Sequence, residues 1–162
     1  MQHPEPLDLS KLKVLPLAER DSMASLEEVL IDPATTPADC TNTQREQIDQ
    51  CAVAIRAARK NNSGIMLIYG AHLIKNGAHR LLDRLMAGGW LTHLATNGAG
   101  VIHDWEWAHH GRSTESVRAN VATGTFGSWD ETGRNLHLAI LAGAVRDEGF
   151  GRSDGRFVEE DG

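Results

Sequence analysis

Two short apolar runs, each closed by small residues, constrain this chain more than anything else in it. The first is "IMLIY", residues 65–69, followed by "GAHLIKNG", 70–77. The second is "WLTHLAT", 90–96, followed by "NGAGVIHDW", 97–105. Between them a stretch near 78–87 repeats apolar residues at helical spacing, with Leu81, Leu82, Leu85 and Met86 on one side. The glycines at 88–89 stop it. An unbroken apolar run this short predicts a strand covered on both faces, which is the habit of parallel sheets. Strand, helix and strand with short connections predict a right-handed β-α-β crossover.

The rest of the chain is expected to be helical. A helix is predicted from Thr43 to Lys60, with Asn42 or Thr43 as its cap and Glu46 at the capping-box spacing. Its stripe is Ile48, Cys51, Ala52, Ile55 and Ala58, so Cys51 is expected to be buried and inert. "SMASLEEVL", 22–30, predicts a shorter helix. Further helices are predicted near Val101–His110, Thr114–Ala122 and Trp129–Asp147, the last with Ser128 and Glu131 as its capping pair. All five prolines (Pro4, Pro6, Pro16, Pro33 and Pro37) fall within residues 1–40, which predicts an irregular arm. The Gly-rich, acidic segment 149–162 predicts a mobile tail. The organisation expected is therefore an arm over 1–40, an α/β domain over 41–148 and a tail over 149–162. The fold class is α/β: a parallel β-sheet with flanking helices, Rossmann-like. Two strands leave both sheet edges unpaired, so the sheet is expected to be incomplete within this chain.

Composition limits the function classes. The formal net charge is −6 and the basic residues are scattered, so no footprint for nucleic acid or an anionic membrane is offered. No apolar run approaches the roughly 20 residues that span a bilayer, and the N-terminus lacks an apolar signal region, so a cytoplasmic location is the expectation. Cys40 and Cys51 are expected as free thiols there.

Both glycine-rich bends stand where a strand should end. In open α/β sheets ligands bind outside the carboxyl ends of the strands. Gly70 and Ala71 after the first run, and Asn97, Gly98, Ala99 and Gly100 after the second, would let a ligand approach the backbone. A helix N-terminus there favours an anionic group such as a pyrophosphate. The first bend is not G-x-G-x-x-G, and small residues also serve tight turns. A second chemistry competes. His103, Asp104, Glu106 and His109 have helical spacing, and Glu106 and His109 stand three apart as in carboxylate metal sites, so a metal-dependent hydrolase is an alternative. A non-catalytic subunit that completes a partner's sheet is a third.

Residues 68–108, "IYGAHLIKNGAHRLLDRLMAGGWLTHLATNGAGVIHDWEWA", resemble the first nucleotide-binding segment of deoxyhypusine synthase and its bacterial relatives. "GTFG", 124–127, followed by a long helix, matches that family's order of elements, and the resemblance covers roughly 43–145. It implies a deoxyhypusine synthase-like NAD-binding fold, assembly into a homo-oligomer, and transfer of an alkylamine group of the aminobutyl type. That group is held as an imine on a lysine after oxidation by NAD. Carried over, Gly70, Ala71, His72, Thr96, Asn97 and Gly98 would face the NAD. The family usually has Ser and Asn where Ala71 and His72 stand. Deoxyhypusine synthase proper carries two adjacent acidic residues for the polyamine where this chain has Ile102 and His103, with Asp104 acidic at its matching position. His103 and Asp104 are thus the candidate contacts for a small-molecule amine. No match to the family's catalytic lysine follows residue 145, and Lys75 lies on the cofactor side. The chain is therefore expected to represent the N-terminal portion of such an enzyme, with a second chain or a further segment supplying the rest.

Overall fold

The computed structural model describes residues 5–161, Leu7 excepted. The first part of the expected arm, residues 1–4 with Pro4, lies outside the described residues, as does Gly162. The chain divides into two compact units, one being Ala24–Ser113 and the other comprising the described residues up to Met23 and from Thr114 on.

The unit Ala24–Ser113 runs β1 (Ala24–Ser25), α1 (Leu26–Val29), α2 (Asn42–Lys60), β2 (Met66–Tyr69), α3 (Ala71–Lys75), α4 (His79–Ala87), β3 (His93–Thr96), α5 (Gly98–His110) and β4 (Arg112–Ser113). β2 and β3 pair in parallel, with Met66 opposite His93, Leu67 opposite Leu94, Ile68 opposite Ala95 and Tyr69 opposite Thr96. Thr92 locks the entry to the pair, because its Oγ1 accepts from the Ile65 amide at 2.8 Å. Ile74, Leu82, Leu91 and Trp107 form the buried cluster beneath the strands, and Leu67, Tyr69 and Leu94 pack against it. Each fully buried aliphatic side chain of this kind contributes about 1.5–3 kcal/mol.

The expected Rossmann-like parallel sheet is not the fold that forms. Of the described residues 58 % are helical, and the strands among them make only two small sheets of two strands each. One is the parallel β2–β3 pair; the other pairs β1 with β4 antiparallel, Ala24 opposite Ser113. The physical reason lies in the coverage of the strands. An apolar residue at every position of 65–69 implies helices on both faces, yet Met66 and Ile68 are 56 % and 75 % exposed. Only the Leu67 and Tyr69 side is packed.

Other expectations shift for local reasons. α2 is capped by Thr41, whose Oγ1 accepts from the Gln44 amide at 3.2 Å while Gln44 Oε1 accepts from the Thr41 amide at 2.9 Å. Thr41 with Gln44 has the same spacing as Thr43 with Glu46 and starts the helix earlier. No residue of α2 is buried, and Cys51 is exposed rather than buried, because the apolar stripe of α2 is only partly covered.

In the other unit, a 3₁₀ turn at Leu17–Glu19 precedes α6 (Val117–Thr123), α7 (Asp130–Val145) and α8 (Phe150–Asp161). Ser128 does not cap α7 with Glu131; Glu131 instead accepts from the Leu17 amide at 2.6 Å. Leu15 bridges Trp129 in parallel, with its amide donating to the Ser128 carbonyl at 2.8 Å. Glu115 orders the 124–127 loop by accepting from Gly127 N at 3.1 Å and Trp129 Nε1 at 2.9 Å. The segment expected as a mobile tail is the helix α8, which packs on α7, with Ser153 Oγ donating to the Ala139 carbonyl.

Gly77 marks the tightest crossing near the core. It has φ of +80°, and a Cβ there would stand 1.9 Å from the Val29 carbonyl oxygen. Gly77→Ala therefore forces both an unfavourable backbone conformation and a displacement of α1. The expected cost is about 2 kcal/mol or more, read as a lower urea midpoint. An unchanged midpoint would contradict this packing.

Candidate functional site

β2 and β3 run the same way, so their carboxyl ends meet on one rim. The last residue of each strand is paired, Tyr69 with Thr96, and Thr96 Oγ1 donates to the Tyr69 carbonyl at 3.0 Å. That side-chain bond extends the ladder by one link exactly where the strands would otherwise splay. The two glycine-rich bends follow at once. A Cβ on Gly70 would lie 3.9 Å from Asn97 Nδ2, so the bends are neighbours.

Asn97 caps α5: its side chain accepts from the Gly100 amide at 3.1 Å. The first amides of an α-helix have no partner within the helix, and those of Gly98 and Ala99 are the first two of α5. Gly98 is exposed, and nothing lies within 4 Å of where its Cβ would stand. Gly100 is the opposite case. A Cβ there would fall 2.1 Å from Thr96 Oγ1, so glycine lets α5 start directly against the end of β3. His72 is exposed and Ala71 half-buried in α3. The structure thus brings Gly70, Ala71, His72, Thr96, Asn97 and Gly98 onto adjoining bends.

The polar residues further along α5 diverge. Asp104 Oδ1 stands 3.4 Å from His79 Nε2 of α4, close enough for attraction though outside hydrogen-bond geometry. Its charge also reaches Tyr69, the last residue of β2. His103 faces elsewhere: its Nδ1 is 2.7 Å from Ser113 Oγ, and Ser113 donates to Glu106 Oε2 at 2.5 Å. His109 stacks on Trp105, with ring centroids 4.6 Å apart. The four residues of the metal alternative therefore do not converge, and no group of three or more His, Cys, Asp or Glu among the described residues is placed to hold a metal ion. A spacing of three or four along one helix puts side chains on one face, but a metal also needs ligands from a second element. Here the second elements supply Ser113 to His103 and Glu106, and His79 to Asp104 alone.

Ser113 and Tyr69 are the residues that motif reasoning misses. Ser113 lies beyond the helix end, and the signal for it is Gly111, the left-handed stop after α5 that turns the chain back. Tyr69 reads only as an apolar strand residue. No helix among the described residues is long and apolar enough to cross a membrane.

Burial raises the Tyr69 phenol above its ordinary value of 10.0, the Asp104 charge adds to the rise, and a hydrogen bond with the Thr96 side chain opposes it. Since the chain has one tyrosine, its ultraviolet titration reports on this position alone. The midpoint is expected above 10, and Asp104→Asn should lower it without bringing it below 10, because burial is the larger cause. The folded state holds the proton longer than the unfolded one. Stability from this group is therefore intact below pH 10 and is lost as pH rises through the raised value. A midpoint at or below 10 would contradict the burial of Tyr69, and a midpoint unmoved by Asp104→Asn its placement beside Asp104. No family model, curated protein or solved structure matches the chain, and what the rim can hold follows from its own geometry.

Proposed function

We propose that this chain supplies the cofactor rim of a deoxyhypusine synthase-like, NAD-dependent alkylamine transferase. The observation that carries the proposal is the meeting of two small-residue bends at paired strand ends, the second of them forming the N-terminus of α5. The amides of Gly98 and Ala99 suit a pyrophosphate, which gains from the helix dipole and from direct N–H donation. Gly70 and Gly98 admit it because neither carries a Cβ. Thr96 and Asn97 hold the bends in register, and His72 borders them.

When bound, the nicotinamide would supply the hydride chemistry that oxidises the amine. The residues of this chain orient and bind. Asp104, which is exposed and near the rim through Tyr69, is the acid best placed to meet an ammonium group. Ile102 and His103 stand where the family pattern has its adjacent acids and neither is a carboxylate, so that pair is missing, and His103 and Asp104 serve different neighbours. Lys75 is half-buried in α3 and is assigned no covalent role; the imine-forming lysine belongs to another segment or chain. A homo-oligomer, or a second chain covering the bare Met66 and Ile68 face, would complete the site.

The test is an amide-shift titration of the chain with NAD. Gly70, Ala71, Gly98 and Ala99 are expected to move most, with a dissociation constant near the millimolar range for an uncovered rim. Gly98→Asp places a negative charge on the first turn of α5, where it should stabilise the helix by about 0.3–1 kcal/mol. The same charge would repel a pyrophosphate, weakening NAD binding about tenfold or more. Shifts confined to other residues, or equal binding by Gly98→Asp, would overturn the proposal.

A further inference from the structure

The chain His103–Ser113–Glu106 specifies something that neither the rim nor the family resemblance does. All three residues belong to the unit Ala24–Ser113, and their placement has local causes. His103 and Glu106 stand three apart on α5 and therefore share a face. Gly111 ends α5 in the left-handed conformation, with φ of +64°, and sends the chain into β4. The Ala24–Ser113 pairing then fixes β4 with Ser113 returned against that face. Ser113 is fully buried and Glu106 is 1 % exposed, so water does not compete for these bonds.

A serine hydroxyl has one proton to give. Ser113 donates it to Glu106 Oε2 at 2.5 Å. The 2.7 Å contact between Ser113 Oγ and His103 Nδ1 is then a hydrogen bond only if Nδ1 carries the proton. We infer that Ser113, held by Glu106, is a positioning residue that fixes the neutral His103 ring as the Nδ1–H tautomer, so that Nε2 is its acceptor atom. The hydrogen bond made by one ring nitrogen sets the state of the other. A neutral His103 fixed this way accepts from an N–H or O–H donor through Nε2 and has no proton there to offer an anion. Taking that donor to be an alkylamine rests on the proposed function; the tautomer does not.

The test is the nitrogen-15 spectrum of the histidine rings in the cofactor-free chain, recorded above the histidine titration range. Expected is a protonated-type shift for His103 Nδ1 and an unprotonated-type shift for Nε2. Ser113→Ala should abolish that preference and move the two shifts toward each other or reverse them. A merely structural serine would leave the tautomer unchanged. The wild-type spectrum decides the matter even if Ser113→Ala fails to fold: an Nε2–H ring overturns the inference, as does an unaltered ring in a folded Ser113→Ala. Addition of 1-butylamine separates the two readings. Movement of Nε2 with Nδ1 still protonated supports the amine as ligand. An unmoved Nε2 on an Nδ1–H ring removes the amine and leaves the tautomer standing.

Discussion

The parallel pairing of β2 with β3 is the interaction on which the rest of the unit Ala24–Ser113 depends. Its four residue pairs set the register, and a slip of one residue would turn Leu67, Tyr69 and Leu94 away from the cluster of Ile74, Leu82, Leu91 and Trp107. The same register brings Tyr69 level with Thr96. That in turn sets Gly70 beside Asn97 and aims α5 from the rim. Packing and candidate site therefore have one cause. Gly100 extends it, since α5 can begin against Thr96 only where no side chain intervenes.

A two-stranded parallel sheet is an uncommon solution, because both edges keep unpaired backbone groups. In this chain the cost is visible as apolar surface. Ile68 and Met66 project from the uncovered face, and no residue of α2 is buried. One strand face is packed, with Leu67, Tyr69 and Leu94 set against Ile74, Leu82, Leu91 and Trp107. The Thr92 and Thr96 hydroxyls add a bond at each end of the ladder, which compensates for its short length.

The local elements were legible where periodicity and caps agree. The β2 and β3 runs, the intervening α4 and the helical character of 98–110 all follow from apolar spacing and from the small residues that end each run. The sheet as a whole was not legible. An apolar run reports that a strand can be covered on both faces, and says nothing of whether this chain covers it. Two capping boxes of equal spacing compete at the start of α2, and local sequence does not choose between Thr41 and Thr43. Glu131 reads as a helix-capping acid, but a partner 114 residues away in sequence, the Leu17 amide, takes its carboxylate. The candidate rim was legible as two bends; the partners of His103 and Asp104 were not. Those side chains share a helix, and the elements that return to meet them, α4 and β4, are placed by tertiary pairing. Segment 150–161 differs from its sequence expectation for a related reason: glycine content favours mobility, while packing on α7 supports a helix.

The central claim is that the two strand ends lie side by side in one register. Nuclear Overhauser contacts across the pair measure it directly, without ligand or mutation. The account predicts cross-strand contacts between Leu67 and Leu94 and between Tyr69 and Thr96, together with proximity of Gly70 to the Asn97 side chain. Contacts offset by one residue, or strand ends with no contact at all, would contradict it and remove the shared rim.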